Sequence, residues 1–243
     1  MIRLFNVSKR FMLYPKGRSI VFKTILQAIK RQEPPGVIHA LENITIEIKK
    51  GEIIGLIGPN GSGKSTLLKI VCGIYKPTSG RVRTEGEVTP FLQLGGAFLP
   101  DLSVKDNIFL YGAIMGLERR DIRKNLKKII DFAGIGDFID AEARVLSLGM
   151  EERLAFSVVL QAAGDILLFD EAFAMGDCEF RRKGLTAIEG LRKAKKTIIL
   201  SSHDLNTIRQ LCDRTILLDR GRIVDFDDSG RVIDKYMKCE YPA

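Results

Sequence analysis

Apolar and polar residues alternate with period two in ITIEIK (44–49), the mark of a half-buried strand. EIIGLIG (52–58) is nearly continuous in apolar residues and reads as a fully buried strand. DILLFDE (165–171), TIILSSH (197–203), RTILLDRG (214–221) and RIVDFD (222–227) read as further strands, and IRLFNV (2–7) as a short one at the start. RVRTEGEVTPFLQL (81–94) gives two short strands after the turn KPTSG (76–80). Helices are expected at 64–74, 103–117, 119–135, from near Leu148 to 164, at 179–194, at 204–212 and at the end to about Lys238. Ser103 and Asp106 stand at the spacing of a capping box. Strands and helices therefore alternate at both ends of the chain, with a helical block between them. The ends predict an α/β core built on a parallel sheet, and the middle predicts a helical subdomain inserted into it.

One stretch breaks this rhythm. Residues 15–37 begin PKG, end near EPPG and enclose IVFKTILQAIKR, an insertion bracketed by helix breakers. Within it Phe22, Ile25, Leu26 and Ile29 recur at i, i+3, i+4 and i+7, flanked by Lys23, Lys30 and Arg31. A basic amphipathic helix of this kind can lie on a lipid surface; its apolar face can equally pack on the core.

With 243 residues the chain has ample length for a packed core. At 45% hydrophobic and 28% charged it is ordinary for a globular protein. It has no run of about 18 uncharged apolar residues, and its N-terminus lacks an apolar signal core, so it is expected neither to span a membrane nor to be secreted. Cys72, Cys178, Cys212 and Cys239 are scattered without metal-ligand spacing and read as reduced thiols. A net charge of +8 favours anionic partners: nucleotide phosphates, phospholipid or nucleic acid. Aromatics are sparse and no aromatic-rich basic tract is present, so nucleic acid is not expected as a partner.

The candidate chemistry starts at GPNGSGKST: Gly58, Pro59, Asn60, Gly61, Ser62, Gly63, Lys64, Ser65 and Thr66. It fits G-x-x-x-x-G-K-[ST] and falls between a strand and a helix, as a phosphate-binding loop requires. Glycines let the backbone curl until several N–H groups point inward, and the following helix adds its dipole. Lys64 is expected at the β- and γ-phosphates and Ser65 at Mg²⁺. In ILLFDE, Asp170 is expected to hold Mg²⁺ through its water shell and Glu171 to act as general base toward the attacking water.

The order of motifs resembles the nucleotide-binding subunit of ATP-binding-cassette (ABC) transporters over essentially the whole chain. Gln93 in FLQLGG matches the Q-loop, LSLGM (146–150) the signature LSGGQ, Asp177 in MGD the D-loop and His203 in SSHD the switch histidine. The resemblance implies a P-loop NTPase core with a mixed, largely parallel sheet, an antiparallel β subdomain and an inserted helical signature subdomain at about 95–163, all within one nucleotide-binding domain, 1–243. It implies two copies pairing head to tail around two ATPs. Ser147, Leu148, Gly149, Met150 and Asp177 of one copy then act on the nucleotide of the other. Gln93 would touch Mg²⁺ and the water, and His203 the γ-phosphate. Adenine would stack on an aromatic after the first strand, Phe11 or its competitor Tyr14, with Phe11 slightly favoured.

Leu148 replaces the first glycine of LSGGQ and Met150 its glutamine. A leucine cannot approach phosphate as glycine does, so either this half-site is weakened or the branch tolerates a side chain there. LSLGM followed by RLAF, DEAFAMGDCEF (170–180) and residues 91–117 are similar to the branch that exports cell-surface polysaccharides of the O-antigen, capsule or teichoic-acid type. The expectation is an ATPase driving a membrane permease, peripheral on the cytoplasmic face of the inner membrane. The alternatives are another lipid or drug ABC ATPase, or a slow ATP-binding scaffold. The chain ends at Ala243, so the carbohydrate-binding domain that some O-antigen exporters carry beyond this point is not expected.

Overall fold

The computed structural model of the chain is described for residues 1–12, 36–92, 98–171 and 178–238. The period-two strands make two sheets. β1 (Ile2–Met12) lies between β2 (Val37–Ile48) and β4 (Ser79–Thr84), antiparallel to both. The larger sheet has the order β5-β6-β7-β3-β8-β9. Its strands are β3 (Ile53–Ile57), β5 (Val88–Leu92), β6 (Ile166–Asp170), β7 (Thr197–Ser201), β8 (Arg214–Asp219) and β9 (Arg222–Asp228). All its pairings are parallel except the closing β8–β9 hairpin.

Alternation along the buried strands divides the core in two. Ile53, Ile57, Leu167, Phe169, Ile198, Leu200 and Leu217 face the helical side. Ile54, Leu56, Ile166, Leu168, Ile199, Ile216 and Leu218 face the antiparallel sheet. A strand buried on both faces needs no polar alternation, which is why IIGLI reads as a continuous run. Gly55 sits in that run because a Cβ there would lie 2.6 Å from Ile208 and 2.7 Å from Thr215.

The helices are α1 (Lys64–Val71), α2 (Val104–Ile114), α3 (Arg119–Ala133), α4 (Leu148–Gln161), α5 (Cys178–Lys193), α6 (Leu205–Leu211) and α7 (Ser229–Met237). Ser103 caps α2 by accepting from the Asp106 N–H at 3.0 Å, and α3 stops at Gly134 in the left-handed region, φ 66°. Phe156 of α4 meets Phe91 and Phe169 of the sheet on one side and Phe132 of α3 and Phe180 of α5 on the other, with ring centroids 5.5–6.0 Å apart. This aromatic cluster joins the helical block to the parallel core.

One detail differs from the sequence reading, and one adds to it. β1 and β2 are longer than IRLFNV and ITIEIK, because register shifts in their pairing blur the two-residue period beyond Leu4. The two short strands of 81–94 do not pair with each other: β4 joins the antiparallel sheet and β5 becomes the parallel edge, where Pro90 needs no ladder donor on its open side. Among the described residues no helix is long and apolar enough to cross a membrane, and Cys72 and Cys212 are free thiols.

Candidate functional site

β3 ends at Ile57 and the chain turns through 58–63 into α1. Packing dictates two of the glycines. A Cβ at Gly58 (φ +143°) would lie 2.0 Å from the Leu218 carbonyl oxygen, and one at Gly63 (φ +110°) would lie 2.5 Å from that of Ala40. Gly61 (φ +78°) has nothing within 4 Å of the Cβ position and leaves the loop open on that side. The loop is tied by Ser62 N–H to Pro59 O at 3.2 Å and by Gly221 N–H to Ser62 O at 2.9 Å. The Ser62 hydroxyl is buried with no partner among the described residues.

Lys64 is only 7% exposed and folds back over the loop, donating to the carbonyls of Gly58 (2.8 Å) and Pro59 (3.1 Å). Burial pushes its ammonium below the usual lysine range, and the charges of Glu171 and Asp170 oppose that shift. The N-terminus of α1 has no side-chain cap and no acid in its first turn. Its free N–H groups and dipole are therefore left for an external anion. A pocket of about 340 Å³ lies over this point, lined among others by Phe11, Asn60, Gly61, Lys64, Ser65 and Glu171.

The second half of the site comes from β6 and β7. Asp170 and Ser201 are paired across those strands at their carboxyl ends. Glu171, held at φ +56° with its N–H on Ser201 O (3.0 Å), turns its carboxylate to His203, Oε1 to Nε2 3.0 Å. A non-glycine residue in that region is strained, and the neighbouring strand fixes it there. Lys64, Glu171 and His203 thus converge at the carboxyl ends of β3, β6 and β7, where open α/β sheets place their ligands.

The structure brings the loop, Phe11 and Glu171 to one pocket and joins His203 to it through Glu171. Phe11 stands edge-on to Tyr75, centroids 5.3 Å apart, with the Lys9 ammonium 5.0 Å from its ring. Ser147, Leu148, Gly149 and Met150 do not line this pocket. Ser147 is the N-cap of α4 and accepts from Met150 N–H at 3.3 Å; Leu148 is 57% exposed and Gly149 has open space at its Cβ position. Tyr14, Gln93, Asp177 and the helix expected at 20–31 lie outside the described residues. Sequence reasoning missed Ile38 and His39, which also line the pocket, because the expected second strand began at 44 rather than 37.

These features define an α/β protein of the phosphate-loop nucleotide-binding class. A model of the ABC transporter family matches residues 41–174. The chain is 38% identical, over 98% of both chains, to an O-antigen export system ATP-binding protein of Klebsiella pneumoniae. It is 34% identical to a teichoic acids export ATP-binding protein of Bacillus cereus, over 97% of this chain and 42% of that one. A solved dimeric ATP-binding cassette in a post-hydrolysis state with ADP and Pi superposes with a TM-score of 0.77 at 24% identity, covering 94% of this chain and 99% of that one. The chain belongs to the ABC transporter family, and its fold is that of the family's ATP-binding cassettes.

Proposed function

We propose that the chain is the ATP-hydrolysing subunit of an ABC exporter that drives a membrane permease for a lipid-linked cell-surface polysaccharide. The observation that carries the ATPase is the Glu171–His203 pair, 3.0 Å apart, beside the uncapped start of α1. The polysaccharide is supported by end-to-end similarity to an O-antigen export protein, reinforced by a teichoic-acid relative.

The loop amides and Lys64 bind the phosphate chain, and Phe11 (or Tyr14) stacks on adenine. Glu171 takes a proton from water as its oxygen attacks the γ-phosphorus and the bond to the ADP oxygen breaks. His203 holds the Glu171 carboxylate and stands ready for the γ-phosphate. Mg²⁺ would be held by the Ser65 hydroxyl, by Asp170 through its water shell and by Gln93, and would supply positive charge that neutralises the phosphates. No cluster of three or more His, Cys, Asp or Glu that could hold a metal occurs among the described residues, which suits an ion held mainly by phosphates and water.

The whole chain, 1–243, acts as one nucleotide-binding domain, with residues 15–37 as an insertion and about 95–163 as the helical subdomain. A second copy completes each site in trans: Ser147, Gly149 and the α4 N-terminus meet the partner's γ-phosphate, and Asp177 links the two sites. The chain sits peripherally at the cytoplasmic face of the cell membrane, with helix 20–31 against lipid or permease. Nucleic acid is not a partner.

The test is ATP hydrolysis beside gel filtration in ATP and Mg²⁺. Wild type turns over. Glu171→Gln loses at least about 100-fold in rate and elutes as an ATP-bound dimer. A Glu171→Gln variant as fast as wild type would remove the general base. If wild type neither hydrolyses nor dimerises, Leu148→Gly tells whether the leucine in the signature is responsible.

A further inference from the structure

The first ten residues of α3 read RRDIRKNLKK, so six of the chain's 38 Lys and Arg fall within ten positions. They stand at 119/120, 123/124 and 127/128. At 100° per residue these positions share one half of the helix and run about 14 Å along its axis. All six are exposed, while Ile122, Ile129 and Ala133 bury the opposite side in the core.

Two of the six are engaged locally. Arg120 pairs with Glu118 at 2.8 Å, and the Arg119 guanidinium lies 5.9 Å from the Phe109 ring. Arg123, Lys124, Lys127 and Lys128 have no carboxylate within ion-pair distance among the described residues. Like charges at i, i+4 repel, so Arg119/Arg123, Arg120/Lys124, Arg123/Lys127 and Lys124/Lys128 each weaken the bare helix. An anionic counter-surface turns that repulsion into attraction. The acids along this stretch are Glu118 and Asp121, both beside Arg120, and Asp131 at the far end of the stripe.

We propose that this face of α3 docks on anionic membrane lipid headgroups. The face is a convex helix side whose exposed residues from 119 to 128 are all Arg or Lys, with no apolar anchor. Protein interfaces deplete Lys and rest on buried aromatic or aliphatic anchors, and single-stranded nucleic acid requires aromatic platforms. A plane of acidic headgroups asks for neither and suits the four cations at 123, 124, 127 and 128, which are clustered on one side of the helix. This contact is separate from the nucleotide chemistry and from the amphipathic segment 20–31.

Co-sedimentation of the full chain with vesicles tests it, using phosphatidylcholine alone or with about 30% phosphatidylglycerol at low salt. Wild type binds the anionic vesicles and is released as salt rises. At about fivefold per cation, Arg123→Glu/Lys124→Glu/Lys127→Glu/Lys128→Glu lowers partitioning at least about 100-fold. Its melting temperature and ATP affinity stay at the wild-type level, because the four side chains project into solvent away from the pocket. Should that variant fold poorly, Lys124→Gln/Lys128→Gln keeps the test open with an expected loss of about 25-fold. Equal binding to neutral and anionic vesicles overturns the proposal, as does failure of wild type to bind either. So does a quadruple variant that binds like wild type while Lys23→Gln/Lys30→Gln/Arg31→Gln does not, which would assign the contact to 20–31.

Discussion

Tyr111 of α2 is 5% exposed in the helical side of the core, and burial pushes its phenol up to about 12. The folded state therefore resists ionisation of a group that titrates near 10 once unfolded. This contribution to stability is fully present below pH 10 and is lost as pH rises through 12, because the unfolded chain releases the proton first. Two units correspond to about 2.7 kcal/mol. Urea midpoints of wild type and Tyr111→Phe, compared from pH 8 to 11.5, should diverge above pH 10, with wild type falling faster; parallel curves would contradict the assignment. At this scale only part of the candidate site was legible. The glycine spacing of 58–63 and the acids closing ILLFDE are local patterns. The 3.0 Å approach of His203 to Glu171 was not legible, because it depends on β6 and β7 lying side by side, a fact of tertiary pairing.

Elements were read best where burial is two-sided. β3, β6, β7 and β8 stand within a residue or two of the apolar runs that announced them, since continuous burial leaves a continuous signal. β1 and β2 were read too short, and β4 and β5 carried no mark of the different sheets they join; pairing partners are set by long-range packing. Another feature invisible to periodicity is Asn107, a polar residue in the first turn of α2 with no exposure. Its side chain accepts from Leu99 N–H (2.7 Å) and donates to the carbonyls of Leu99 (2.9 Å), Leu102 (3.3 Å) and Ser103 (3.1 Å). It thereby fastens the turn at 99–103 onto the helix that follows. Asn107→Leu keeps the branching and the number of side-chain heavy atoms but is bulkier and strands those backbone groups. It should cost about 3 kcal/mol in denaturant unfolding, beyond what a packing change alone would bring. A loss below about 0.5 kcal/mol would mean that the turn finds other partners.

At the scale of the whole molecule, the proposed function needs His203 held in step with α5, the helix that follows Glu171. Arg181, near the start of α5, forms an ion pair with Asp204 and donates to Thr207 Oγ1 at 3.0 Å. Asp204 directly follows His203. Its Oδ1 accepts from Asn206 N–H at 3.1 Å, its Oδ2 accepts from the Thr207 hydroxyl at 2.6 Å, and its own N–H donates to Ser202 Oγ at 3.0 Å. The carboxylate thus caps α6 and is clasped from α5 at once, so the segment carrying His203 has a support reaching across two helices. Arg181 does not line the pocket and makes no hydrogen bond or ion pair with His203 among the described residues, so it is expected to act as a positioning residue. In Arg181→Ala the Glu171–His203 distance is free to vary. The expected result is a fall in kcat of about tenfold with KM for ATP changed less than twofold, because the phosphate cradle is untouched. Arg181→Lys keeps the charge but not the fork and should recover part of the rate. The ion pair is partly exposed, so its loss should cost stability no more than about 1 kcal/mol. A variant that loses stability and KM together, without rescue by lysine, would reduce Arg181 to a structural strut.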